Sequence, residues 1–600
     1  TDFSFGNQDG YDVIIPKRER MGQISIPGHP QLPTWNPAYI IPYWKDIAYC
    51  EIVALDSVQI PGTYNIYPAQ KEVPIGDSAE WTPPDPAIYN SDSLYPGKLM
   101  LEPGSGAFDG ARITTLNLYP IQYRPKSGRL FLYTSARIRL VFKDADPPIN
   151  AKQRYAHVQE IYDRMLVDLV ENDADIGAWY RRPAIIDPNG GRPPLLYPFI
   201  IITTEAQSDD QSLLAYRDWM YQRGYPTTIQ TIEWILANVA GIDPAEKLRN
   251  YITTTYLAFG TAFYLFLGHE SNIPFRYLIR VNANPGDPIN VLDSIPSDLY
   301  FSNLTGTWNG DGDAYYGEPL HDAGSFDYYP EVFVGRVLAY TDPEDGDPNE
   351  VANWAEKVVN YEKNPGNASS MDKVFHSVGI DWEDEASHTQ TYHFPGSFSG
   401  EIYGNGHPPD DHITYMNDND LGWVLPANHG QPCHWGVYNG AVWSYPVWWE
   451  PDPAHLNELT NESAYFIAYV VACITAAYDL TQWSNPNFAT DTTVAEAFVE
   501  AYPDKCGVAC IAGTRLMWDY GSNDGNFRLR DDFLDQIFQE HLYNIGVADA
   551  FSKSLNHWDP LYDAKFVYPT NLFGSPLTEA WTNVPIATRI RRIIPNPIPP

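Results

Sequence analysis

Positive charge is scarce in this sequence. Lys and Arg together number 38 against 76 Asp and Glu, and the formal charge of −38 repels phosphate backbones and anionic lipid headgroups. Nucleic acid is therefore not an expected partner. Cysteine is scarce as well: Cys50, Cys433, Cys473, Cys506 and Cys510 are five in number and nowhere form a C-x-x-C pair, which argues against a disulfide framework or a zinc ribbon. Long apolar runs are missing. The longest candidate, Ala464 to Ala477, is interrupted by tyrosines and a threonine and falls short of the roughly 18 apolar residues of a membrane span, so a soluble chain is expected. A methionine start and a charged leader are missing too. Thr1 opens the chain as it would after removal of a secretory signal, and the expected location is secreted, extracellular.

What is abundant points to a folded chain of several domains. Apolar residues make up 44% and aromatics 14% of 600 residues, enough for sizeable cores and too much chain for one ordinary core. The acidity reads chiefly as a solvated surface, with bound cations as the sharper alternative. Asn303, Asn367 and Asn461 each open an N-x-S/T triplet, a pattern compatible with an extracellular protein.

The texture changes along the chain. Residues 1–45 are rich in Pro, Gly and aromatics without a period and read as an extended N-terminal arm. Residues 46–143 carry short β-branched and aromatic runs, such as Ile113 to Leu118, Leu130 to Tyr133 and Ala136 to Phe142, which predict an antiparallel β domain. Residues 144–197 form a connector with one predicted helix, marked by Ile161, Met165, Leu166, Leu169 and Val170, and with the dibasic pair Arg181-Arg182, a plain linker feature or a processing point. From 198 to 585, apolar runs at Phe199 to Ile202, Tyr264 to Leu267, Val332 to Val334, Val374 to Ile380, Trp423 to Leu425, Tyr465 to Val471 and Val508 to Ala512 alternate with helical patterns. Buried parallel strands separated by helices produce this, and their ligands sit beyond the strands' carboxyl ends. Residues 586–600 form a Pro-rich tail. The arm's Phe3, Phe5, Tyr11, Trp35, Tyr39 and Tyr43 need a covering surface. The chain's own β domain or cleft would serve, and so would a neighbouring subunit, which makes a homo-oligomer an expectation.

Two strand ends carry chemistry. One apolar run leads into Ala427-Asn428-His429-Gly430 and another into Ala472-Cys473. At neighbouring strand ends an imidazole can take the thiol proton so that the thiolate attacks a carbonyl. Gly430, without a Cβ, lets a substrate approach the backbone, where its N–H and that of Cys473 could hold an oxyanion. The bland alternative is a small core cysteine and a structural histidine. His429 precedes Cys473 by 473 − 429 = 44 residues, close to the spacing of about 50 in caspase-type enzymes.

Several ordered segments resemble the gingipains and their secreted bacterial relatives. They are Phe199-Ile200-Ile201-Ile202 with Trp219 to Gly224, Leu265-Phe266-Leu267-Gly268, Pro330-Glu331-Val332-Phe333-Val334-Gly335-Arg336, His429-Gly430, Val471-Ala472-Cys473, Ala495-Glu496-Ala497-Phe498 and Leu572-Phe573-Gly574-Ser575-Pro576. The resemblance covers about residues 197–585, and Ile113 to Arg124 with Arg129 to Tyr133 is similar to that family's pro-domain. It implies an α/β, caspase-like, mostly parallel sheet with flanking helices, preceded by an antiparallel β domain. It also implies peptide or protein substrates, with His429 as general base and Cys473 as nucleophile. The chain departs from family usage at Asn428, where Gly is usual, and at His269 and Ser575, where Asp is usual, while both dyad residues are kept.

Three further expectations concern cations, substrate and assembly. Asn309-Gly310-Asp311-Gly312-Asp313, followed by Glu318, Asp322 and Asp327, places oxygen ligands on a glycine-rich loop. Structural Ca²⁺ held by Asn309, Asp311, Asp313 and Glu318 is one reading and a plain acidic turn the other. His429, Cys433 and His434 have soft-metal spacing but no second ligand cluster. Asp381 and Glu383 follow the run Val374 to Ile380, and the resemblance places them near the substrate pocket, where an acidic lining favours Arg or Lys before the scissile bond. The alternative to a secreted cysteine endopeptidase, made with a covering pro-domain, is a catalytically silent gingipain-fold protein that self-assembles into extracellular filaments or surface layers.

Overall fold

The computed structural model describes residues 3–17, 21–71, 73–74, 80–101, 103–186, 196–280, 293–339, 350–364, 371–379, 382–404, 407, 409–432, 434–438, 443–444, 458–480, 493–519, 525–555 and 564–582. Residues 3–45, expected as an extended arm, instead form short antiparallel pairs. Phe3–Gln8 turns at Asp9-Gly10 and pairs with Tyr11–Pro16. Both turn residues have positive φ, 51° and 83°, the geometry of a two-residue hairpin for which Asp-Gly is well suited. Met21–Gln23 pairs with Pro33–Trp35, and Ala38–Ile41 joins the hairpin Gly104–Phe108/Ala111–Thr115. The segment's aromatics make contacts within the chain: Phe5 stacks on Tyr64 at 5.0 Å while remaining exposed, and Tyr11 meets Tyr67 and Trp81 at 6.0 and 5.9 Å. Ile14, Ile24 and Leu32 share a core with Ile66, Ile121, Tyr123 and Leu130. Strands of three to six residues, spaced by prolines, carry too short a period-2 pattern to be read from sequence.

The predicted β domain is built on a ribbon in which Lys45–Ile60 pairs antiparallel with Arg129–Asp144. The third strand, Ile121–Arg124, reaches only as far as Leu132. The connector holds the expected helix, Ala156–Leu169, with Val158, Tyr162, Met165, Leu166 and Leu169 buried. A buried ion pair ties the hairpin turn to this connector. Arg154 grips both carboxylate oxygens of Asp109 at 2.7 Å, while Tyr180 and Tyr256 donate to the same carboxylate at 2.6 and 2.8 Å. Four donors match a buried carboxylate's acceptor capacity, which is what makes burying this charge tolerable.

The α/β region holds one ten-stranded sheet. Its order is Thr227–Thr231, Phe199–Thr203, Phe263–Leu267, Phe333–Val337, Thr570–Phe573, Gly507–Gly513, Phe466–Tyr469, Trp423–Ala427, Lys373–Val378 and Ser399–Tyr403. All neighbours run parallel except Thr570–Phe573 beside Gly507–Gly513. The sheet is thus two parallel halves joined by one antiparallel seam, and the strands' carboxyl ends point to opposite edges in the two halves. Every residue of Phe199–Thr203, Phe263–Leu267 and Phe333–Val337 is buried, as parallel strands covered on both faces require. Covering helices include Gln211–Gln222, Pro244–Phe259, Glu350–Lys363, Gly525–Phe538 and Ile545–Leu555. No helix among the described residues is long and apolar enough to cross a membrane.

Candidate functional site

Four strand ends of one half converge at a single edge. Lys373–Val378, Trp423–Ala427, Phe466–Tyr469 and Gly507–Gly513 are successive parallel neighbours, so the chain leaves each of them on the same side. His429 lies two residues beyond the second strand and Cys473 four beyond the third. The two exits stay paired past the strands: the Asn428 N–H donates to the Val471 carbonyl at 3.1 Å, and the Val471 N–H donates to the Pro426 carbonyl at 2.8 Å. Gly430 then packs directly on the Cys473 backbone. A Cβ there would lie 2.2 Å from the Cys473 carbonyl oxygen and 2.9 Å from its nitrogen, so only glycine permits this approach.

Cys473 is 5% exposed and His429 half-buried. The thiol sits against the exit of a neighbouring strand, where the Met517 N–H donates to Sγ at 3.3 Å. The next residue, Ile474, is β-branched yet holds φ +51°, a left-handed conformation costing about 1–3 kcal/mol that persists only where surroundings enforce it. Here its N–H donates to the Arg515 carbonyl at 3.0 Å and its carbonyl accepts from Ala477 at 3.1 Å. This turn presents Cys473 at the end of its strand. The His429 ring meets the Trp382 ring edge-on, with centroids 6.4 Å apart, and Trp382 in turn packs on Phe527 at 6.1 Å. Arg280 lies within electrostatic reach of Cys473: burial holds its pKa below the usual arginine value, opposed by its ion pair with Asp293 at 3.0 Å. Sequence reading missed both Trp382 and Arg280. Trp382 stood between the two acidic residues that were singled out, and only its position beside His429 marks it.

The other singled-out residues are more scattered. Glu383 is exposed at the start of the helix Glu383–Tyr392. Its carboxylate lies where a Cβ on Gly404 would stand, just past the edge strand Ser399–Tyr403 and two strands from that of His429. Asp381 and Cys433 lie outside the described residues, and His434 opens a strand paired with His429–Gln431. At the acidic loop, Asp311 and Glu318 come together with His321, their donor atoms all within 4.8 Å of one another. Asn309 and Asp313 stand in the turns around it, and Asp311 Oδ1 itself accepts from the Asp313 N–H at 3.2 Å. Asn309 Oδ1 accepts from Gly312 and its Nδ2 donates to the Asp313 carbonyl, while Asp313 Oδ1 accepts from Tyr315 at 2.6 Å. His321, three residues after Glu318, carried no metal-spacing signal.

The family departures are accommodated locally. Asn428 is buried, and its Oδ1 accepts from the His429 N–H at 3.0 Å. Ser575 accepts a hydrogen bond from Tyr216 Oη at 2.6 Å in the core. His269 pairs with Glu270 at 2.9 Å, and although burial pulls its pKa down, the Glu270 carboxylate raises it overall.

A family model described as Peptidase family C25 matches residues 195–581, and a second, Propeptide_C25, matches residues 18–164. Gingipain R1 of Porphyromonas gingivalis is 20% identical over 474 residues, which cover 76% of this chain and 40% of gingipain R1. Lys-gingipain W83 of the same species is 20% identical over 430 residues, covering 70% of this chain and 21% of the relative. The chain thus spans well under half the length of these relatives. Among solved structures, the Arg-specific cysteine proteinase gingipain R has a TM-score of 0.45 at 17% identity, covering 64% of this chain and 78% of that one. A complex of the RgpB pro- and mature domains has a TM-score of 0.45 at 18% identity, with coverage of 64% and 80%.

Proposed function

Because the chain belongs to peptidase family C25 and carries that family's propeptide region ahead of the peptidase region, we propose that it is a secreted, gingipain-like cysteine endopeptidase in zymogen form. One observation carries the assignment of roles: Gly430 rests on the backbone of Cys473 at the shared edge of two parallel neighbours, so His429 and Cys473 cannot separate without breaking that contact. In this reading His429 takes the thiol proton and the thiolate attacks the scissile carbonyl. The N–H groups of Gly430 and Cys473 face the developing oxyanion. The amine leaves with the proton held by His429, and water then hydrolyses the thioester. The preference for Arg or Lys before the scissile bond stays open in this reading, because Glu383 lies against Gly404, two strands from that of His429.

Latency has its own support. Val73–Pro74 of the propeptide region pairs antiparallel with Trp518–Asp519, directly after Met517, whose N–H meets the Cys473 sulfur. Arg181 and Arg182 are exposed in the connector and are the proposed activation cut. The experiment is competitive alkylation with iodoacetamide before and after cleavage in the connector, read by mass spectrometry. Cys473 is expected to react fastest once the chain is cut. Burial pushes the Cys506 thiol up to about 11 and raises Cys510 further, which leaves both poor nucleophiles. Equal labelling of Cys433 and Cys473, or peptide hydrolysis that survives Cys473→Ala, sinks the proposal.

A structural Ca²⁺ at the acidic loop is the accompanying proposal, with Asp311 and Glu318 as ligands and backbone carbonyls and water completing an oxygen shell. The alternative, a silent and self-assembling extracellular protein, is favoured by one observation. The two-stranded ribbon leaves Tyr49, Val53, Leu55 and Val58 between 40% and 57% exposed.

A further inference from the structure

Away from the cleft, two helices face each other across a cluster of imidazoles and carboxylates. His388 lies on the helix Glu383–Tyr392 and His393 caps its end, while Asp531 and Asp535 lie on the helix Gly525–Phe538. His388 Nδ1 stands 3.8 Å and His393 Nε2 3.6 Å from Asp531 Oδ2, and the three donor atoms lie within 4.8 Å of one another. Tetrahedral ligands about 2.0–2.1 Å from a zinc-sized ion stand roughly 3.4 Å apart, so these separations need only a slight contraction.

The hydrogen bonds around the three atoms aim them at one point. Asp531 is 4% exposed. Its other oxygen, Oδ1, is taken by Thr389 Oγ1 at 2.8 Å and Arg530 Nε at 3.0 Å, which aims Oδ2 at the two imidazoles. His388 Nδ1 is shielded from solvent and has no hydrogen-bond partner. His393 Nδ1 contacts Asp535 Oδ1 at 2.7 Å, the carboxylate-backed arrangement that leaves Nε2 as a lone-pair donor and is typical of metal-binding histidines. Arg530 opposes a cation here, but it sits on the Oδ1 side, and Asp531, Asp532 and Asp535 outweigh it.

We propose that His388 Nδ1, His393 Nε2 and Asp531 Oδ2 form a three-ligand site for a divalent transition-metal ion of the zinc class, with water in the fourth position. Two imidazoles and one carboxylate suit such ions and not Ca²⁺, which takes oxygen. The site is independent of the peptidase assignment. Bound metal braces the helix that starts next to Trp382 against the helix that carries Phe527, the two residues packed on each other beside His429.

The test uses the full-length Cys473→Ala chain, so that the proposed dyad takes up no metal. After chelation and gel filtration, Zn²⁺ is titrated by calorimetry and Co²⁺ by its visible d–d absorption. One equivalent is expected in the parent, with tetrahedral Co²⁺ intensity. His388→Ala and His393→Ala are expected to lose it with unchanged circular dichroism. Asp535→Asn, which keeps all three ligands, is expected to weaken binding by about 10–100-fold. Asp311→Asn, at the other cluster, is expected to leave it unaltered. No binding by the parent, or equal binding by the His388→Ala chain, overturns the site.

Discussion

A methyl group at Gly430 has nowhere to go: the atoms it would meet are the backbone carbonyl and nitrogen of Cys473 and the Thr475 methyl at 2.8 Å. A flexible side chain could swing aside, but backbone anchored by the turn at Ile474 cannot. Gly430→Ala is therefore expected to cost about 1–3 kcal/mol of stability and to displace the sulfur from His429. A misplacement near 1 Å costs roughly 100-fold in rate, so peptidase activity should fall by about that factor while the chain still folds. Unaltered kcat/KM in Gly430→Ala, with a normal melting curve, contradicts the placement of the dyad. The neighbouring strand ends that carry His429 and Cys473 were legible because each lies just past a buried apolar run. Trp382, Arg280 and His321 were not, because their meaning comes from which strand end or turn they face, and no sequence period records that.

At the scale of elements, the buried strands were legible and the paired loops were not. Phe199–Thr203 and Phe263–Leu267 announce themselves as apolar runs because both faces are covered. Ala38–Ile41 does not, since its partner strand Ala111–Thr115 is distant in sequence and only four residues pair. The acidic loop shows the same limit. Composition singled out Asn309 and Asp313 together with Asp311 and Glu318; Asn309, Asp311 and Asp313 all close Asx turns, and it is the chain path that brings Asp311 and Glu318 beside His321. If Ca²⁺ binds there, a chelator should lower the unfolding temperature of the parent and added Ca²⁺ should restore it, as for any ligand that binds only the folded state. Asp311→Asn should melt at the lower temperature with or without Ca²⁺. A melting curve indifferent to chelator removes calcium from the loop, and restoration by Zn²⁺ alone that Asp311→Asn abolishes assigns the cluster to a different ion.

For the whole molecule, the question is which surface could join copies. The N-terminal segment is one candidate, because its aromatics need cover, but Tyr11 finds it within the chain and Ile14 and Leu32 are buried in a core, while Phe5 stacks on Tyr64 and stays 41% exposed. Deleting residues 1–45 would therefore damage a core instead of removing a contact. The ribbon Lys45–Ile60/Arg129–Asp144 is the better candidate. A two-stranded ribbon is marginal in water without a packed face, and this one exposes Tyr49, Val53, Leu55, Val58 and, at 38%, Phe142. Covering these apolar groups with a second copy would remove them from water at a gain of roughly 25 cal/mol per Å². The net charge of −38 opposes the approach of two chains and is screened by salt. Light scattering on the full-length chain is thus expected to show a concentration-dependent oligomer that strengthens with ionic strength, and the double substitution Val53→Lys with Val58→Lys should return it to monomer with its melting temperature kept. A monomer at every protein and salt concentration eliminates the assembly reading and leaves the latent peptidase alone. An oligomer untouched by the lysines moves the interface away from the ribbon.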